Sequence, residues 1–329
     1  MFWTIGVQNY EECESTMKRI LIIGAAGFVG SYLIDHLYDT LECHIVATKL
    51  PNEEFWHKNI NIEDLDITNP IAIIQLLKET RPDWIINLAA QNSIGYTWEN
   101  PGLTVEVNIK GSINILDAVK QLEYKPKILL IGSGEEYGVI SESDAPFSES
   151  MSLHPSNIYG ATKACQNMMA AIYAKAYDMQ IIMARSFNYV GPGQSTLFVI
   201  SDFAKQIAEI EKHLREPIIN VGNLKSKRDF IDVRDIVRAY TLLLELGKSG
   251  EVYNIGSGKA VLIETVLNKL LLLSKKRIAV NVSPQKIRPI DVPIVQADIT
   301  KIVNTTGWKP QMTLEQSLKD VLTYWRNNV

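Results

Sequence analysis

The sequence predicts an α/β fold, in which a doubly wound parallel sheet carries helices on both faces and a smaller C-terminal lobe is interleaved with it. Short apolar segments alternate with amphipathic stretches through the first 190 residues. That alternation is typical of parallel strands joined by helical crossovers. With 329 residues, of which 46% are hydrophobic, the chain is long enough for one large lobe and a smaller one.

The predicted elements follow one another without a repeat or a low-complexity linker. The strand-like segments of the first part are ILIIG, HIVATK, INIEDLD, WIINLAA, KILLIGS and IIMARSFN. Beyond residue 190 the pattern is less regular. There we predict helices over 200–214, 233–246 and 262–275, and strands over 217–222 and 252–257. Because the carboxyl ends of parallel strands meet at one edge, ligands are expected in the crevice there.

Composition and charge exclude several classes of protein. A formal net charge of −4 gives no basic field for nucleic acid or an anionic membrane. No apolar run approaches the roughly 20 residues that span a bilayer. Cys13, Cys43 and Cys165 have neither metal-ligand spacing nor a disulfide framework. We therefore expect a cytoplasmic protein without a bound metal, and we interpret residues 1–16 as a disordered extension or an expression leader.

A glycine-rich turn follows the first predicted strand. Gly24, Gly27 and Gly30 stand three residues apart, and a helical segment follows. We expect Gly24 to permit a tight turn, Gly27 to let the backbone approach a pyrophosphate, and Gly30 to let the helix pack closely. Phe28 and Val29 lie between Gly27 and Gly30 and are expected to contact the cofactor, and the helix predicted over 31–39 offers N-terminal N–H groups and a dipole that favour a phosphate. Strand, turn and helix thus predict a Rossmann-type dinucleotide site.

A tyrosine and a lysine stand four residues apart in a later helical segment. Tyr159 and Lys163 would project from the same face of that helix. A free phenol titrates near about 10, and a neighbouring ammonium favours the phenolate. We therefore expect Lys163 to draw the pKa of Tyr159 toward the working range of an acid–base catalyst.

The conjunction of G-x-x-G-x-x-G with a downstream Y-x-x-x-K resembles the extended short-chain dehydrogenase/reductase family. The similarity covers nearly all of 18–326 and is tightest to its nucleotide-sugar enzymes, through GSGEEYG, SFNYVGPGQ, KRDFIDVRDIVRAY and KIRPIDVP. The resemblance implies an NAD(P)-binding domain over 17–190. It also implies a nucleotide-sugar-binding lobe over 191–329, with some strands and helices returning to the first domain.

Cofactor choice depends on the end of the second strand. Thr48 and Lys49 stand where an NAD enzyme usually presents an acid to the ribose hydroxyls. The sequence therefore favours NADP(H), with NAD(H) as the alternative. The remaining cofactor contacts that the resemblance implies follow the third and fourth strands: Asp66, Ile67, Leu88, Ala89 and Ala90.

The resemblance also implies roles for residues around the substrate. Ser133 would hydrogen-bond the reacting sugar oxygen together with Tyr159, and Lys163 would bind the nicotinamide ribose. Glu135 stands at the position of a catalytic base. The resemblance carries substrate contacts to Asn188, Arg228 and Arg288, of which the two guanidinium groups suit phosphate oxygens.

The activity implied is reduction at C4 of a GDP-4-keto-6-deoxyhexose, of the type that converts GDP-4-keto-6-deoxy-D-mannose to GDP-D-rhamnose. A GDP-mannose-type 4,6-dehydratase is an alternative, because Glu135 is retained. Gly134 argues against it, since dehydratases of this family place an acid or hydroxyl there. A nucleotide-sugar 4-epimerase and a non-catalytic NADP-binding sensor are further alternatives.

The resemblance finally implies a homodimer. Members of the family commonly pair two helices from each subunit in a four-helix bundle. The segment carrying Tyr159 offers an apolar stripe of Met168, Met169, Ala170 and Ala171 for such contacts, although a stripe of this kind is also typical of a buried core.

Overall fold

The computed structural model describes residues 17–55, 57, 60–138, 142–287 and 291–329. The strands, in chain order, are β1 (Lys18–Ile23), β2 (Cys43–Lys49), β3 (Asn61–Asp64), β4 (Trp84–Asn87), β5 (Lys127–Ser133), β6 (Gln180–Ser186), β7 (Asn188–Val190), β8 (Ile218–Val221), β9 (Lys227–Asp232), β10 (Val252–Ile255), β11 (Ala260–Leu262), β12 (Ala279–Val282) and β13 (Ile294–Val295).

The helices are α1 (Phe28–Thr40), α2 (Pro70–Thr80), α3 (Ile94–Glu99), α4 (Pro101–Val105), α5 (Ser112–Lys120), α6 (Ile158–Tyr177), α7 (Val199–Glu211), α8 (Val233–Leu246), α9 (Ile263–Leu272), α10 (Thr300–Thr306) and α11 (Leu314–Asn328). A π-helical segment, Glu106–Gly111, joins α4 to α5, and short 3₁₀ turns lie at Gly134–Glu136, Glu142–Asp144 and Pro284–Lys286.

Seven strands form one parallel sheet in the order β10-β6-β5-β4-β1-β2-β3. This arrangement confirms the predicted doubly wound α/β fold. From β1 the chain continues to β2 and β3 on one side of the sheet, and β4, β5 and β6 lie on the other side. The loops after β1 and β4 therefore diverge and leave a crevice between them. The glycine turn that follows β1 lies at this switch point.

Helices cover both faces of the sheet, which explains why its strands are apolar on both sides. Along β1, Ile20 and Ile22 contact a core that α1 and α8 complete. Leu21 and Ile23 point the other way, into a core formed with α2, α5 and α6. Because alternate residues of a strand face opposite sides, the continuous apolar run is the expected pattern for a central strand.

Part of this layer comes from beyond residue 190. Strand β10 pairs in parallel with β6 at the sheet edge, and α8 packs beside α1. The chain thus leaves the first sheet after β6, forms part of the second lobe and returns to the first sheet at β10. The domain boundary after residue 190 stays a prediction.

The second lobe is organised around β9. This strand pairs with β11 in antiparallel and with β7 and β13 in parallel orientation, and β8 pairs separately with β12. Helices α7, α9 and α11 enclose an apolar core beside these strands. Strand β7 directly follows β6, so the second lobe begins at the carboxyl edge of the first sheet. Within the described part of the chain, every helix is too short or too polar to span a bilayer.

Candidate active site

The glycine turn after β1 is shaped by two close contacts. Gly24 has φ +76°, and a Cβ added there would lie 2.7 Å from the backbone nitrogen of Ala89. A Cβ on Gly30 would lie 2.0 Å from the carbonyl oxygen of Ala25. Both positions therefore exclude any side chain.

Gly27 differs from the other two glycines. Its φ is −70°, and an added Cβ would meet nothing nearer than 3.5 Å. Packing within the protein therefore does not require glycine here. Gly27 is the N-cap of α1, and among the described residues no side chain caps that helix. An N-terminus without a side-chain cap, beside an uncrowded backbone, fits the pyrophosphate of a dinucleotide.

The first turn of α1 also contacts strand β7 and the residues that follow it. The ring of Phe28 stacks on that of Tyr189, with centroids 6.1 Å apart, and meets Tyr32 edge to face. Tyr32 donates a hydrogen bond to the carbonyl of Pro192. Val29 lies in the core, 9% exposed. The predicted cofactor residue Phe28 thus connects the dinucleotide turn to β7, the strand that contains Asn188.

The end of β2 braces the turn. Thr48 is buried; its hydroxyl accepts a hydrogen bond from the amide of Gly24 at 3.2 Å, and its carbonyl accepts one from Ala25. Lys49 reaches outward, and its Nζ lies 2.7 Å from Asp64 Oδ1. The structure therefore gives the Thr48 side chain an internal role and pairs the Lys49 ammonium with a carboxylate.

The residues after β3 and β4 that were predicted to contact the cofactor differ in exposure: some lie at the surface and one lies in the core. Asp66 is exposed and accepts hydrogen bonds from the amide and hydroxyl of Thr68. Ile67 is 4% exposed and packs in the core beneath α5. Residues 88–90 are partly exposed at the end of β4, where Ala89 abuts Gly24.

Ser133 and Tyr159 line one cavity at the carboxyl edge of the sheet. Ser133 ends β5, and Tyr159 lies in the first turn of α6. Burial raises the pKa of the Tyr159 phenol above its ordinary value, the neighbouring Tyr189 adds to this, and the Ser133 side chain opposes it.

Lys163 is buried and turned toward β5. Its Nζ donates to the carbonyl of Ile131 at 2.8 Å and to Oε1 of Gln166 at 3.1 Å. Burial lowers the pKa of Lys163 to about 8, and the charge of Glu136 opposes that shift. The expected lowering of the Tyr159 pKa by this ammonium is not seen in this structure, because burial raises that pKa and Lys163 is not among the groups that shift it.

A buried polar network that the sequence interpretation missed lies beneath Ser133. Glu136 is fully buried and accepts hydrogen bonds from the Ser133 amide at 2.8 Å and from Asn167. It also forms an ion pair with Arg185 at 2.7 Å. Ser133 and Glu136 together form a capping box, and the S-x-x-E spacing after the predicted strand was the signal that could have found it.

The residues between these two differ in what they present to the cavity. Glu135 lines it, and its carboxylate accepts a hydrogen bond from Asn157 Nδ2 at 2.8 Å. Gly134 faces the ring of Phe187, and an added Cβ would lie 3.1 Å from that ring. A side chain at position 134 would therefore require Phe187 to move.

The cavity continues into a larger cleft between the two lobes. Asn188 lines both parts, and Arg228 lines the cleft. The Arg228 guanidinium is largely buried; it donates to Asp291 Oδ1 at 2.6 Å and to the carbonyl of Val292 at 2.7 Å. Arg288 lies outside the described residues. The structure thus brings Ser133, Tyr159, Glu135 and Asn188 to one cavity, with Arg228 farther along.

Comparison with known proteins agrees with this geometry. The family profile of GDP-mannose 4,6 dehydratase matches residues 21–321. The chain belongs to that family. It is also similar to the GDP-6-deoxy-D-mannose reductase of Pseudomonas aeruginosa, with 30% identity over 95% of this chain and 98% of the relative. It is 26% identical to the GDP-mannose 4,6-dehydratase of Yersinia enterocolitica, over 93% of each chain.

A solved structure resembles this member of the GDP-mannose 4,6-dehydratase family over almost its whole length. RMD from Pseudomonas aeruginosa, solved in complex with NADPH, superposes with a TM-score of 0.85 at 29% identity. The match covers 95% of this chain and 100% of that one. The predicted membership of the extended short-chain dehydrogenase/reductase family is confirmed. The protein is a nucleotide-sugar enzyme of this class.

The geometry defines what this family member can do chemically. Tyr159 is a phenol that holds its proton at neutral pH. It lines a cavity together with Ser133 and with Tyr189 of β7, on which Phe28 of the dinucleotide turn stacks. The arrangement suits proton transfer to or from a sugar oxygen.

Proposed function

We propose that this enzyme reduces the C4 ketone of a GDP-4-keto-6-deoxyhexose, of the type that converts GDP-4-keto-6-deoxy-D-mannose to GDP-D-rhamnose. The proposal is supported by the similarity to a GDP-6-deoxy-D-mannose reductase over nearly the full length of both chains. Similarity alone does not separate reductase from dehydratase, since relatives of both kinds match. The choice between reductase and dehydratase therefore depends on the side chains that line the catalytic cavity.

The observation that favours reduction is the crowding at Gly134. Loss of the C6 hydroxyl during dehydration needs an acid or hydroxyl beside the catalytic serine. Here the ring of Phe187 would lie only 3.1 Å from the first atom of any side chain at that position. Reduction of a C4 ketone needs no such group, because it requires only a proton for the oxygen and a hydride for the carbon.

In the proposed mechanism the bound nicotinamide dinucleotide supplies the hydride. Tyr159 donates its proton to the C4 oxygen, and its raised pKa keeps that proton available at neutral pH. Ser133 donates a hydrogen bond to the same oxygen and orients the carbonyl. The Glu136 carboxylate holds the Ser133 amide, so the serine is fixed before substrate binds.

We infer that the turn formed by Gly24, Gly27 and Gly30 holds the pyrophosphate and that NADPH is preferred to NADH. Neither position 48 nor position 49 carries an acid that would repel a 2′-phosphate. Lys49 stands at the end of β2, held there by Asp64. The RMD structure in complex with NADPH supports the same preference.

A dehydratase is the second candidate, and a single observation favours it. Glu135 lines the cavity as a carboxylate, the group that removal of a C5 proton requires. Under the reductase proposal, Glu135 instead accepts a hydrogen bond from a hexose hydroxyl. The two candidate functions therefore give Glu135 different roles: a base in the dehydratase and a hydrogen-bond acceptor in the reductase.

We further propose a homodimer formed through α6 and the adjacent α4. Met168 and Ile172 are 57% and 62% exposed on α6, and Leu103 and Val105 are 43% and 46% exposed on α4. Exposed apolar side chains on neighbouring helices are typical of a subunit interface. Ala170, by contrast, points into the core of its own subunit.

Two incubations analysed by mass spectrometry test the proposed activity. With GDP-4-keto-6-deoxymannose and NADPH, we expect a product heavier by two hydrogens. With GDP-mannose and NADP⁺, we expect no loss of water. Loss of water in the second incubation would favour the dehydratase, and no change in either would contradict both activities.

Substitution of Tyr159 by phenylalanine tests its assignment as the proton donor. We expect Tyr159→Phe to lower kcat by roughly 10²- to 10⁴-fold, the usual contribution of general acid catalysis. Binding of GDP-mannose, measured by calorimetry, should change much less, since the ring remains. Near-normal turnover would remove Tyr159 from this role.

A further inference from the structure

Asn157 joins two parts of the site through one side chain. Its Oδ1 accepts a hydrogen bond from the amide of Gly160 at 2.8 Å and so caps α6, the helix that carries Tyr159. Its Nδ2 donates to Glu135 Oε2 at 2.8 Å. An amide can accept at one end and donate at the other in this way, because its two polar atoms have opposite hydrogen-bonding character.

A backbone contact reinforces this connection. A Cβ added to Gly160 would lie 2.4 Å from the carbonyl oxygen of Glu135. The first turn of α6 therefore packs directly against the residue whose carboxylate Asn157 holds. Glu135 and the start of the catalytic helix are positioned relative to each other by two independent contacts.

The hydrogen bond from Asn157 also limits where the Glu135 carboxylate can point. A glutamate has several rotatable bonds, and a free carboxylate would lose conformational entropy on binding a ligand. Glu135 lines the catalytic cavity and the adjoining pocket in which Asn157 lies. One carboxylate oxygen is engaged by Asn157, which leaves the other and the unused lone pairs to accept a hydrogen bond from a ligand.

We propose that Asn157 is a positioning residue, which fixes the Glu135 carboxylate so that it accepts a hydrogen bond from a hexose hydroxyl beside the reacting carbon. The inference rests on the proposed function for the identity of the hexose. It predicts that Asn157 acts on sugar binding through Glu135 and not through helix capping. These two effects can be separated, since serine also caps helices well but is too short to make both bonds.

Asn157→Ser and the matched variant Asn69→Ser provide the comparison. Asn69 caps α2, accepting from the amides of Ile71 and Ala72, and lies outside the cavity. We expect both variants to show similar small shifts in thermal unfolding. Only Asn157→Ser should weaken calorimetric binding of GDP-mannose, by about 5- to 10-fold, the loss expected for one ordinary hydrogen bond.

A double-mutant cycle with Glu135→Ala identifies the route of the effect. If Asn157 acts through Glu135, Asn157→Ser should change GDP-mannose affinity less than about 2-fold once Glu135 is alanine. Equal losses in both backgrounds would overturn the proposal, because they would assign the effect to the helix cap. Unchanged affinity of Asn157→Ser in the otherwise native protein would overturn it as well.

Steady-state kinetics add a second readout. Asn157→Ser should raise KM for the keto sugar and leave KM for NADPH nearly unchanged, whereas a displaced α6 would alter both. If the serine variant does not fold, Asn157→Asp keeps the cap and the shape but cannot donate, and it should weaken GDP-mannose binding further. Failure of the native protein to reduce the keto sugar with NADPH would instead contradict the proposed function itself.

Discussion

At the scale of single residues, Lys163 illustrates how burial changes the chemistry of a side chain. Its ammonium donates to the carbonyl of Ile131 and to Gln166, and burial lowers its pKa from 10.5 to about 8. The group is therefore charged below about pH 8 and becomes neutral as the pH rises through that value.

We expect kcat/KM for NADPH to fall as the pH rises above about 8, because the ammonium that we propose binds the ribose would be lost. The folded pKa lies below the ordinary value, so between about 8 and 10.5 the unfolded chain binds more protons. The contribution of Lys163 to stability then rises with pH, and its titration does not explain a loss of activity by unfolding. A pH profile from 6 to 10 checks this. Lys163→Met should lack the descending limb, and a profile flat to pH 10 would contradict the assignment.

Cofactor preference is a second property of single residues. Lys49→Glu should shift the ratio of kcat/KM for NADPH over NADH toward NADH by about tenfold or more, since a charged hydrogen bond becomes a repulsion. Asp64→Asn is the matched control, because it frees the Lys49 ammonium and should keep or increase the preference for NADPH. An unchanged ratio in Lys49→Glu would place the 2′-phosphate pocket elsewhere.

Some residues of the site could be predicted from sequence and others could not. Tyr159 and Ser133 were found because each belongs to a short motif, and the structure places both on one cavity. Glu136 and Arg185 are separated by 49 positions, and only the pairing of β5 with β6 brings them together. The direction of the Tyr159 pKa shift could not be predicted from sequence either, because it depends on how deeply the phenol is buried.

At the scale of elements, the three glycines of the turn between β1 and α1 have different roles. Gly24 and Gly30 are required by close packing, whereas Gly27 is uncrowded and available for binding. Gly30→Ala should lower the free energy of unfolding by about 1–3 kcal/mol, because its Cβ would overlap the Ala25 carbonyl. Gly27→Ala should cost less than about 1 kcal/mol, since that site is uncrowded and alanine is a somewhat poorer N-cap.

Dinucleotide binding should respond in the opposite order to stability. Among variants that remain folded, Gly27→Ala should weaken NADPH binding in a fluorescence titration, because a methyl group would stand where the pyrophosphate approaches the backbone. Denaturant unfolding of the same samples gives the stability. Native affinity in Gly27→Ala would show that the phosphates contact a different part of the turn.

The longer elements were predictable because each is defined by its own pattern. Strand β1 ends in an unbroken apolar run over 20–23, and α7 and α8 have clear amphipathic spacing. Strands β7, β11 and β13 have two or three residues each. Segments of that length carry no period, and their pairing with β9 exists only in the folded chain.

At the scale of the whole molecule, the exposed apolar face of α6 and α4 predicts assembly. Met168→Glu combined with Ile172→Glu should convert a dimer to a monomer in light scattering, because two charges would be buried at the interface. Leu272→Glu on α9 is the control, since Leu272 is 86% exposed and lies in the second lobe. A native protein that is already monomeric would contradict the proposal.

Because the chain returns to the first sheet at β10, the enzyme cannot be divided at the predicted domain boundary after residue 190. A fragment ending at residue 190 would lack β10, and the N–H and C=O groups along the outer edge of β6 would lose their partners. It would also lack α8, which would leave the apolar side of α1 bare. Open strand edges and uncovered apolar helices favour aggregation. We therefore expect that a nascent chain becomes soluble only after synthesis has passed residue 255, so the nucleotide-binding half is stable only once part of the other half has been made.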